Sequence, residues 1–265
     1  MKEDMAIFVD SFDGYSDLWD TFFKIFFHYW NDCPYNVYLV NNNKDYSNKS
    51  ISVINTGQEI NWFHRTIMAL EKIKEPYILF MLEDYFLGKS INNENVNKVL
   101  EHIKSKDIFY YQVSGRPQKE KRIYKIKNTN RYPINLQMAI WNRKKFLEIL
   151  QKMEADGASS PWDFERYFVR EYSNSTSEEV IKGAEYDSRD IFGYHNGVLQ
   201  GKWIRSTLRY YKGQGLEIDT KQRDVLSLKK TIFIKSEVFV LQHTSRNTAE
   251  RIKAVMKKFG FKFMS

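Results

Sequence analysis

The sequence predicts an α/β protein: a central, mostly parallel sheet with helices on both faces, formed by a single domain. Short apolar runs alternate with helical patterns from Met5 to Val113, and this alternation is typical of a doubly wound sheet. Hydrophobic residues make up 42% of the 265 residues and aromatic residues 16%, which is enough for a sizeable core. No internal repeat and no linker rich in Pro, Gly or Ser divides the chain, which favours one domain.

The apolar runs and helical patterns define the predicted elements of the first half. The predicted strands are MAIFV (Met5–Val9), NVYLV (Asn36–Val40), PYILFML (Pro76–Leu82) and IFYYQV (Ile108–Val113), and helices are predicted in the aromatic-rich segment after Gly14, from Asn61 to Lys72 and from Val96 to Ile103. Asn61 is a residue type that caps helices. The run PYILFML is apolar throughout, as is typical of a central strand covered on both faces.

The second half of the chain is less regular. It contains predicted strands in RIYKIKN and INLQMAIWN, a helix from Arg143 to Met153, and a further helix in SSPWDFERYFVREY, where Pro161 suits the first helical position. Gly-punctuated loops, a predicted strand TIFIKSEVFVL and the segment TAERIKAVMKKFGFKFMS follow. We place a main domain at residues 1–203 and a basic C-terminal extension at residues 204–265.

Positive charge is concentrated toward the C terminus. Residues 202–265 contain 15 Lys or Arg against 5 Asp or Glu, and the whole chain has a formal net charge of +8. This balance predicts a surface that meets an anionic partner, and nucleic acid, an anionic membrane leaflet and phosphorylated ligands all qualify. Near the C terminus apolar and basic residues interleave, which suits either an amphipathic segment on a leaflet or a helix docked on the body of the protein.

Several classes of protein are disfavoured by what the sequence lacks. No apolar run approaches the roughly 18 residues that span a bilayer, and the stretch MKEDMAIFVDSFDG does not fit a signal peptide, so we predict a cytoplasmic protein. Cys33 is the only cysteine, which excludes an intrachain disulfide and a multi-cysteine zinc site. The lack of a glycine-rich phosphate loop, a dinucleotide fingerprint and a nucleophile elbow counts against NTPases, dehydrogenases and α/β-hydrolases.

Adjacent carboxylates end the most apolar predicted strand. In YILFMLEDYFL, Glu83 and Asp84 follow the apolar run directly, and Asp10 and Asp13 lie just beyond the first strand. Ligands bind at the carboxyl ends of parallel strands, and burying carboxylates costs free energy unless a positive charge lies close to them. A divalent cation bound to the phosphates of a nucleotide sugar would supply that charge, since Mg²⁺ and Mn²⁺ bind carboxylate and phosphate oxygens at the same time. The alternative is that one acid caps a turn and the other pairs with a surface lysine.

A second acidic motif, SSPWDFERYF, contains Asp163 and Glu165. A carboxylate held at a cleft by a rigid element is a common general base, and one of these two residues would serve, because side chains two positions apart on a helix face different directions. The alternative for Asp163 is a capping box with Ser160. Trp162 is either a platform for a sugar ring or a core residue.

The loop YHNGVLQGKW contains His195 and Lys202. Histidine is a frequent metal ligand and lysine supplies a point charge for phosphate, so the loop predicts a metal- or phosphate-binding segment. A histidine in a surface loop is the alternative. Arg65 would reach a phosphate or would lie on a helix surface.

In their order and spacing, several segments resemble those of bacterial glycosyltransferases with the GT-A nucleotide-diphosphosugar fold, of the type found in capsule and lipopolysaccharide clusters. The segments are SFDGYSDLWDTFFKIFFHYWNDCPYNVYLVNN, EPYILFMLEDYFL, LQMAIWNRKKFLEIL, SPWDFE and GVLQGKW, and the match spans roughly Ala6 to Trp203. At Leu82-Glu83-Asp84 the sequence departs from the Asp-x-Asp motif of that family, because only Asp84 matches.

The resemblance implies a role for each candidate residue. The nucleotide-sugar donor would be bound by Ser11, Asp13, Tyr15, Arg65, Glu83, Asp84 and Lys202, a Mn²⁺ or Mg²⁺ ion by Asp84 and His195, and the acceptor by Trp162, with Asp163 or Glu165 as the catalytic base. Since the acidic motif is incomplete, Lys202 or Arg205 would neutralise the leaving diphosphate.

These roles predict a glycosyltransferase that moves a sugar from a nucleotide-diphosphate sugar to a hydroxyl of a lipid-linked glycan in bacterial surface polysaccharide synthesis. A single base favours inversion, and the basic extension would keep the protein peripheral at the inner face of the membrane. No nucleic-acid partner is expected. The alternatives are a nucleic-acid-binding protein that uses the basic extension, a catalytically inactive sugar-binding relative, and a nucleotidyltransferase, for which the glycine-rich loop is missing.

Overall fold

The computed structural model describes residues 3–58, 61–113, 120–130, 132–172 and 177–231. Within them, the strands are β1 (Met5–Asp10), β2 (Asn36–Asn41), β3 (Ile51–Asn55), β4 (Tyr77–Leu82), β5 (Tyr85–Phe86), β6 (Tyr110–Gln112), β7 (Ile123–Lys127), β8 (Ala139–Asn142), β9 (Val180–Asp187), β10 (His195–Asn196), β11 (Val198–Leu199) and β12 (Lys202–Trp203). The helices are α1 (Trp19–Tyr29), α2 (Trp62–Lys72), α3 (Asn93–Ser105), α4 (Arg143–Ala155), α5 (Pro161–Glu171) and α6 (Arg205–Gly213), and a 3-10 helix, Asp13–Leu18, precedes α1.

An eight-stranded sheet, in the order β3-β2-β1-β4-β8-β6-β9-β7, organises the chain. Six of its strands run in one direction, and β8 and β7 run opposite to their neighbours. From β1 the chain moves outward to β2 and β3, and it then returns to β4 on the other side of β1. The strand order therefore reverses between β1 and β4, which is where sheets of this kind bind ligands.

The centre of the sheet is buried because successive strand residues point to opposite faces and helices cover each face. In β1, Ile7 and Val9 belong to the core that includes α1 and α3, whereas Ala6 and Phe8 belong to the core that includes α2 and α4. Every residue of β1 is buried, as expected for a parallel strand with helices on both sides. The predicted α/β class, with a mostly parallel central sheet and flanking helices, is confirmed.

Most predicted elements are present, with ends shifted by a few residues. Asn61 Oδ1 accepts a hydrogen bond from the His64 N–H (2.9 Å) at the start of α2, and Pro161 begins α5, so both predicted helix starts are confirmed. The apolar-run pattern does not indicate β3, because its sequence, ISVIN, mixes polar and apolar residues and only two of the five are buried. As a result, PYILFML forms the fourth strand of the chain and not the third.

The part of the basic extension that the structure describes packs on the main body. The buried Tyr211 of α6 donates hydrogen bonds to the carbonyls of Phe86 and Leu87 (3.0 and 2.8 Å). The predicted strand TIFIKSEVFVL, apart from Thr231, and the segment TAERIKAVMKKFGFKFMS lie outside the described residues, and the boundary at residue 203 stays a prediction. In the described ranges, no helix is long and apolar enough to cross a membrane.

Candidate functional site

The reversal of strand order places the carboxyl ends of β1 and β4 side by side, with Asp10 opposite Leu82 in the sheet register. Asp10 is 2% exposed, and Glu83, the residue after β4, is 7% exposed. Two acids are thus buried at the position where ligands bind outside the strand ends of this topology. The edge between β1 and β4 is therefore the candidate site.

Two residues of α2 hold Asp10. Trp62 Nε1 donates a hydrogen bond to Asp10 Oδ2 (2.6 Å), and Arg65 Nη2 lies 3.3 Å from Oδ1. Burial raises the pKa of Asp10, and the charge of Arg65 opposes the rise. Arg65 is itself 8% exposed, so the alternative that it lies on a helix surface is wrong. Its Nε has no hydrogen-bond partner among the described residues, and such an orphan group is a candidate donor to a ligand.

Within the described ranges, no lysine or arginine lies at ion-pair distance from Glu83 or Asp84, and the charges of Arg65 and Arg223 act on them only from farther away. Burial, together with the charges of Asp84 and Asp10, raises the pKa of Glu83 well above its ordinary value. Burial also raises the pKa of Asp84 to about 6, although its Oδ2 accepts a hydrogen bond from the Val198 N–H (3.3 Å). The lysine ion pairs of the described ranges involve other acids, so the alternative of pairing with a surface lysine is not supported.

Glu165 reaches the same edge from α5. Because β8 runs opposite to β4, the residues that lead into β8 lie at the carboxyl ends of the parallel strands. Leu136 belongs to this lead-in. Burial raises the pKa of Glu165, and the nearby backbone N–H of Leu136 opposes the rise. Burial raises the pKa of the Tyr85 hydroxyl, and the charges of Asp84, Glu165 and Glu83 add to the rise. The two acidic motifs of the sequence therefore converge.

Asp163 forms a helix cap. Its Oδ2 accepts hydrogen bonds from the backbone N–H groups of Ser159 (3.2 Å) and Ser160 (3.0 Å), and its Oδ1 pairs with Arg166 (3.2 Å). These contacts lower the pKa of Asp163, which makes its carboxylate a weaker base. The capping box is confirmed. The catalytic role of Asp163 stays a prediction, and Glu165 is the candidate base whose pKa is raised.

Trp162 is 60% exposed on the first turn of α5, so the alternative that it is a core residue is wrong. The N terminus of this helix contacts α2, because the Trp62 N–H donates a hydrogen bond to Ser159 O (3.2 Å). Trp162 therefore lies on the helix that carries Glu165, near the start of the helix that holds Asp10. Its role in acceptor binding stays a prediction.

A cavity of about 690 Å³, within the range of small-molecule sites, lies beyond the carboxyl end of β1, and Asp10, Glu83 and Asp84 are not among its lining residues. It is lined by Lys44, Lys202, Lys221 and Arg223, together with Asp13, Gly14, Ser16, Asp17, Gln200, Gly201, Gln222 and Asp224. Asp17 pairs with Arg223 (2.8 Å) and Asp224 pairs with Lys202 (2.7 Å). The positive charge of Arg223, which lines the cavity, also lowers the pKa of Asp84 against the effect of burial.

Two residues predicted to bind the nucleoside already have protein partners. Ser11 Oγ is buried and accepts a hydrogen bond from Trp19 Nε1 (2.8 Å). The Asp13 carboxylate accepts hydrogen bonds from the backbone N–H groups of Asn43 and Lys44 (3.1 and 3.2 Å), and Asp13 lines the cavity. Their roles in donor binding stay predictions.

Arg223 is a site residue that the sequence patterns do not indicate. Its guanidinium donates to both carboxylate oxygens of Asp17 (2.8 and 3.0 Å) and lies 4.2 Å from the ring centre of Tyr15, whose predicted nucleoside contact is untested. No local pattern marks Arg223, since Asp17 is 206 residues away in sequence. Asp10 did carry a signal, because it is an acid at the end of a wholly apolar strand.

His195 packs against Tyr210 and Gly88. It belongs to β10, which pairs with β5, and its ring centre is 4.2 Å from that of Tyr210. The ring also packs on Gly88, where an added Cβ would lie 2.8 Å from Nε2. Burial lowers the pKa of His195, and within the described part of the chain only Asp190 opposes this. The prediction that His195 and Asp84 share a metal ion therefore gains no support.

The described residues contain no group of three or more His, Cys, Asp and Glu side chains that could hold a metal ion. Mg²⁺, however, is commonly held by one or two carboxylates together with substrate phosphates. Glu83 and Asp84 fit that arrangement, because they are adjacent, largely buried carboxylates without a cationic partner at ion-pair distance in the described ranges. They are the residues that would hold a cation with a diphosphate ligand.

No protein-family model matches this sequence, and no curated protein matches it. Among solved structures, similar chains include TarS 1–349 from S. aureus (14% identity over 70% of this chain and 60% of that chain, TM-score 0.40) and a cytidylyltransferase from Leptospira borgpetersenii (12% identity, 66% and 72%, TM-score 0.39). A third is the mannosyltransferase PcManGT from Pyrobaculum calidifontis in complex with GDP-Man and Mn²⁺ (7% identity, 56% and 47%, TM-score 0.39). This chain thus spans less than two thirds of the TarS fragment, and similarities this low carry no argument about its activity.

Proposed function

We propose that this protein is a glycosyltransferase that moves a sugar from a nucleotide-diphosphate sugar to a hydroxyl of a glycan acceptor. One observation carries the proposal: acids that are buried without a cationic partner in the described ranges lie at one edge of the sheet with a candidate base, and a cavity lined by four basic and three acidic residues lies beyond that edge. The charges of Glu83, Asp84 and Glu165 all raise the pKa of the Tyr85 hydroxyl, and the charge of Arg223, a residue of the cavity lining, lowers the pKa of Asp84.

The cavity suits the diphosphate of the donor. Departure of a nucleoside diphosphate leaves negative charge, which fixed cations stabilise, and Lys202, Lys221 and Arg223 line the cavity. Of the two residues predicted to neutralise this group, Lys202 is one of the lining residues and Arg205 is not. A Mg²⁺ or Mn²⁺ ion bound at Glu83 and Asp84 would supply further positive charge to the leaving group.

Glu165 is the base in this proposal. The bond between the anomeric carbon and the diphosphate oxygen breaks, a bond to the acceptor oxygen forms, and the acceptor proton passes to Glu165. Burial raises the pKa of Glu165, so its carboxylate accepts a proton more readily than an exposed glutamate does. With one base and no second carboxylate assigned as a nucleophile, the arrangement favours inversion at the anomeric carbon.

We place the reaction at the inner face of a bacterial membrane, on a lipid-linked acceptor in surface polysaccharide synthesis. The support is the excess of basic residues in 202–265, 15 against 5 acidic, since basic clusters bind anionic leaflets. The exposed Trp162 would stack on a sugar ring of the acceptor. The same basic excess supports the nucleic-acid alternative, which the following experiment separates.

Thermal unfolding in the presence of UDP-, GDP-, CMP- and dTDP-sugars, with and without Mn²⁺, tests the proposal. A ligand at about 100 times its Kd stabilises the native state by about 2.7 kcal/mol, so we expect one nucleotide class to raise Tm by about 5 °C. Glu83→Gln should remove the effect of Mn²⁺, whereas Asp190→Asn, at a half-exposed acid outside the site, should keep it.

Each alternative has its own outcome in the same set of measurements. If no nucleotide sugar changed Tm while RNA or DNA bound with a steep dependence on salt, the nucleic-acid alternative would replace the proposal. Donor binding without hydrolysis or transfer, over a panel of glycan acceptors, would favour the inactive sugar-binding relative.

A further inference from the structure

The cavity beyond the carboxyl end of β1 has two walls, which come from distant parts of the chain. The first wall comprises Asp13, Gly14, Ser16, Asp17 and Lys44, and the second wall comprises residues 200–202 and 221–224. The lining contains four basic and three acidic side chains. The attraction of the cavity for an anion therefore depends on which of the basic groups are already paired with an acid.

Two of the basic groups, Arg223 and Lys202, have a carboxylate beside them. Arg223 Nη2 and Nε donate to the two carboxylate oxygens of Asp17 (2.8 and 3.0 Å), and the side chains of this pair are 10% and 14% exposed. Lys202 Nζ lies 2.7 Å from Asp224 Oδ2. An anion that approaches either cation also meets the neighbouring carboxylate, so these two pairs add little net attraction.

The other two basic groups, Lys44 and Lys221, are not paired with a carboxylate in the described part of the chain. Lys44 Nζ donates to two neutral oxygens, Ser16 Oγ (2.6 Å) and Asp13 O (3.2 Å), which leaves one of the three donors of the ammonium group. The Asp13 carboxylate accepts a hydrogen bond from the Lys44 backbone N–H (3.2 Å), so this lysine is held on the first wall. Lys221 lies on the second wall.

Arg223 joins the two walls. Its guanidinium is bonded to Asp17 of the first wall, and its Nη1 donates to Gly201 O of the second wall (3.0 Å). Lys221 is two residues from Arg223 in sequence, and Lys44 is bonded to the same 3-10 helix that carries Asp17. The bonds of Arg223 therefore limit how far the two lysines can move apart.

We propose that Lys44 and Lys221 bind the two phosphate groups of a diphosphate, one from each wall, and that Arg223 is a positioning residue that sets their spacing. The inference rests on the proposed function for the source of this ligand, the diphosphate of a nucleotide sugar. Two cations at a set spacing favour a diphosphate over a single phosphate, because each phosphate group can meet one charge without reorganisation of the protein.

Calorimetric titration of the full chain with sodium pyrophosphate, without a divalent metal, tests the two lysines. Lys44→Gln and Lys221→Gln should each lower the affinity about tenfold, since each removes a hydrogen bond between charged groups. Both side chains are exposed, so both variants should fold. Lys72→Gln is the matched control: Lys72 Nζ also donates to a neutral oxygen, Asn55 O (3.2 Å), outside the cavity lining. This variant should leave the affinity unchanged.

Arg223→Lys tests the positioning role, because it keeps the charge but cannot form two parallel bonds to Asp17. The ratio of the affinity for pyrophosphate to that for inorganic phosphate should fall about tenfold in this variant. A general loss of structure would instead lower both affinities together and leave their ratio. Arg166→Lys, at an arginine that pairs with Asp163 (3.2 Å) outside the cavity lining, should change neither affinity.

Two results would overturn the assignment of the lysines: no binding of pyrophosphate to the unmodified protein, or equal affinities in Lys44→Gln, Lys221→Gln and Lys72→Gln. An unchanged ratio in Arg223→Lys would overturn the positioning role. Failure of the proposed function is a different result. Pyrophosphate would then bind through the two lysines, while no nucleotide sugar raised Tm or donated its sugar.

Discussion

Two buried acids at the same edge of the central sheet have opposite surroundings. Asp187, the last residue of β9, is 0% exposed; it accepts a hydrogen bond from the Tyr111 hydroxyl (2.8 Å) and pairs with Arg189 Nη2 (2.7 Å). Burial acts to raise the pKa of Asp187, but these partners lower it overall. Glu83, just after β4, is 7% exposed, and there burial raises the pKa well above its ordinary value.

The comparison separates acids that hold the fold together from acids that are available to a ligand. Burying a carboxylate is costly wherever it occurs, so something must compensate. At Asp187 the protein supplies the compensation, whereas at Glu83 a cation, a ligand or a proton has to supply it. The same contrast exists on α5. Asp163 accepts a hydrogen bond from the Ser160 N–H and has a lowered pKa, whereas the pKa of Glu165 is raised.

The largest expected effect tests the two acids of α5. Glu165→Gln should lower kcat for sugar transfer about a thousandfold, because it removes the general base. Asp163→Asn should leave kcat within a few-fold and reduce the free energy of unfolding by about 1 kcal/mol, since it weakens a cap. Release of nucleoside diphosphate in the presence of acceptor measures kcat for both variants, and urea titration measures their free energies of unfolding. The opposite ranking of the two variants would return the base role to Asp163.

The next effect concerns stability at Asp187. Asp187→Asn weakens the bonds to Tyr111 and Arg189; because Arg189 is 43% exposed and water can solvate it, the free energy of unfolding should fall by about 2 kcal/mol in urea titrations. Asp190→Asn is the matched control. Asp190 pairs with Lys89 at 3.8 Å and is 49% exposed, so its loss should cost less than about 1 kcal/mol. Equal costs for the two variants would contradict the distinction between acids with and without buried partners.

The effect of pH tests the acids without partners. The pKa of Asp84 is raised from 3.8 to about 6, so between these values the folded state binds a proton more tightly than the unfolded chain does. Ionised Asp84 therefore destabilises the fold fully above pH 6, and lowering the pH from 7 to 5 should stabilise the protein relative to Asp84→Asn. Protons also compete with a cation at this carboxylate, so affinity for a Mn²⁺-bound donor should fall about tenfold per pH unit below about pH 6. Calorimetric titration at several pH values measures this affinity. An affinity that rises as the pH falls would contradict the assignment of Asp84 to the cation site.

The smallest effect is a gain in stability at Glu83. Glu83→Gln replaces a buried carboxyl group, which has no cationic partner at ion-pair distance among the described residues, by a neutral amide of the same shape. The free energy of unfolding at pH 7 should therefore stay equal or rise by up to about 1 kcal/mol. Urea titration of Glu83→Gln and Asp187→Asn under the same conditions compares the two changes in the free energy of unfolding. A loss of 2 kcal/mol or more would mean that Glu83 has a structural partner like that of Asp187.

Sequence patterns were sufficient for most elements and for part of the site. The cap at Asn61, the start of α5 at Pro161 and the acids beyond β4 all follow from residues within a few positions of one another. The patterns failed where the deciding contacts are distant in sequence. The exposure of Trp162 and the burial of Arg65 depend on elements that meet only in the folded chain.

Local sequence thus accounts for the α/β class, for the helix starts and for the presence of acids at the strand ends, because periodicity and capping act within a few residues. Which acid acquires a partner is decided by the fold. Asp10 meets Trp62 from 52 positions away, and Asp17 meets Arg223 from 206 positions away. The stability of a buried charge depends on every group around it in three dimensions, and only the assembled sheet and helices bring those groups together.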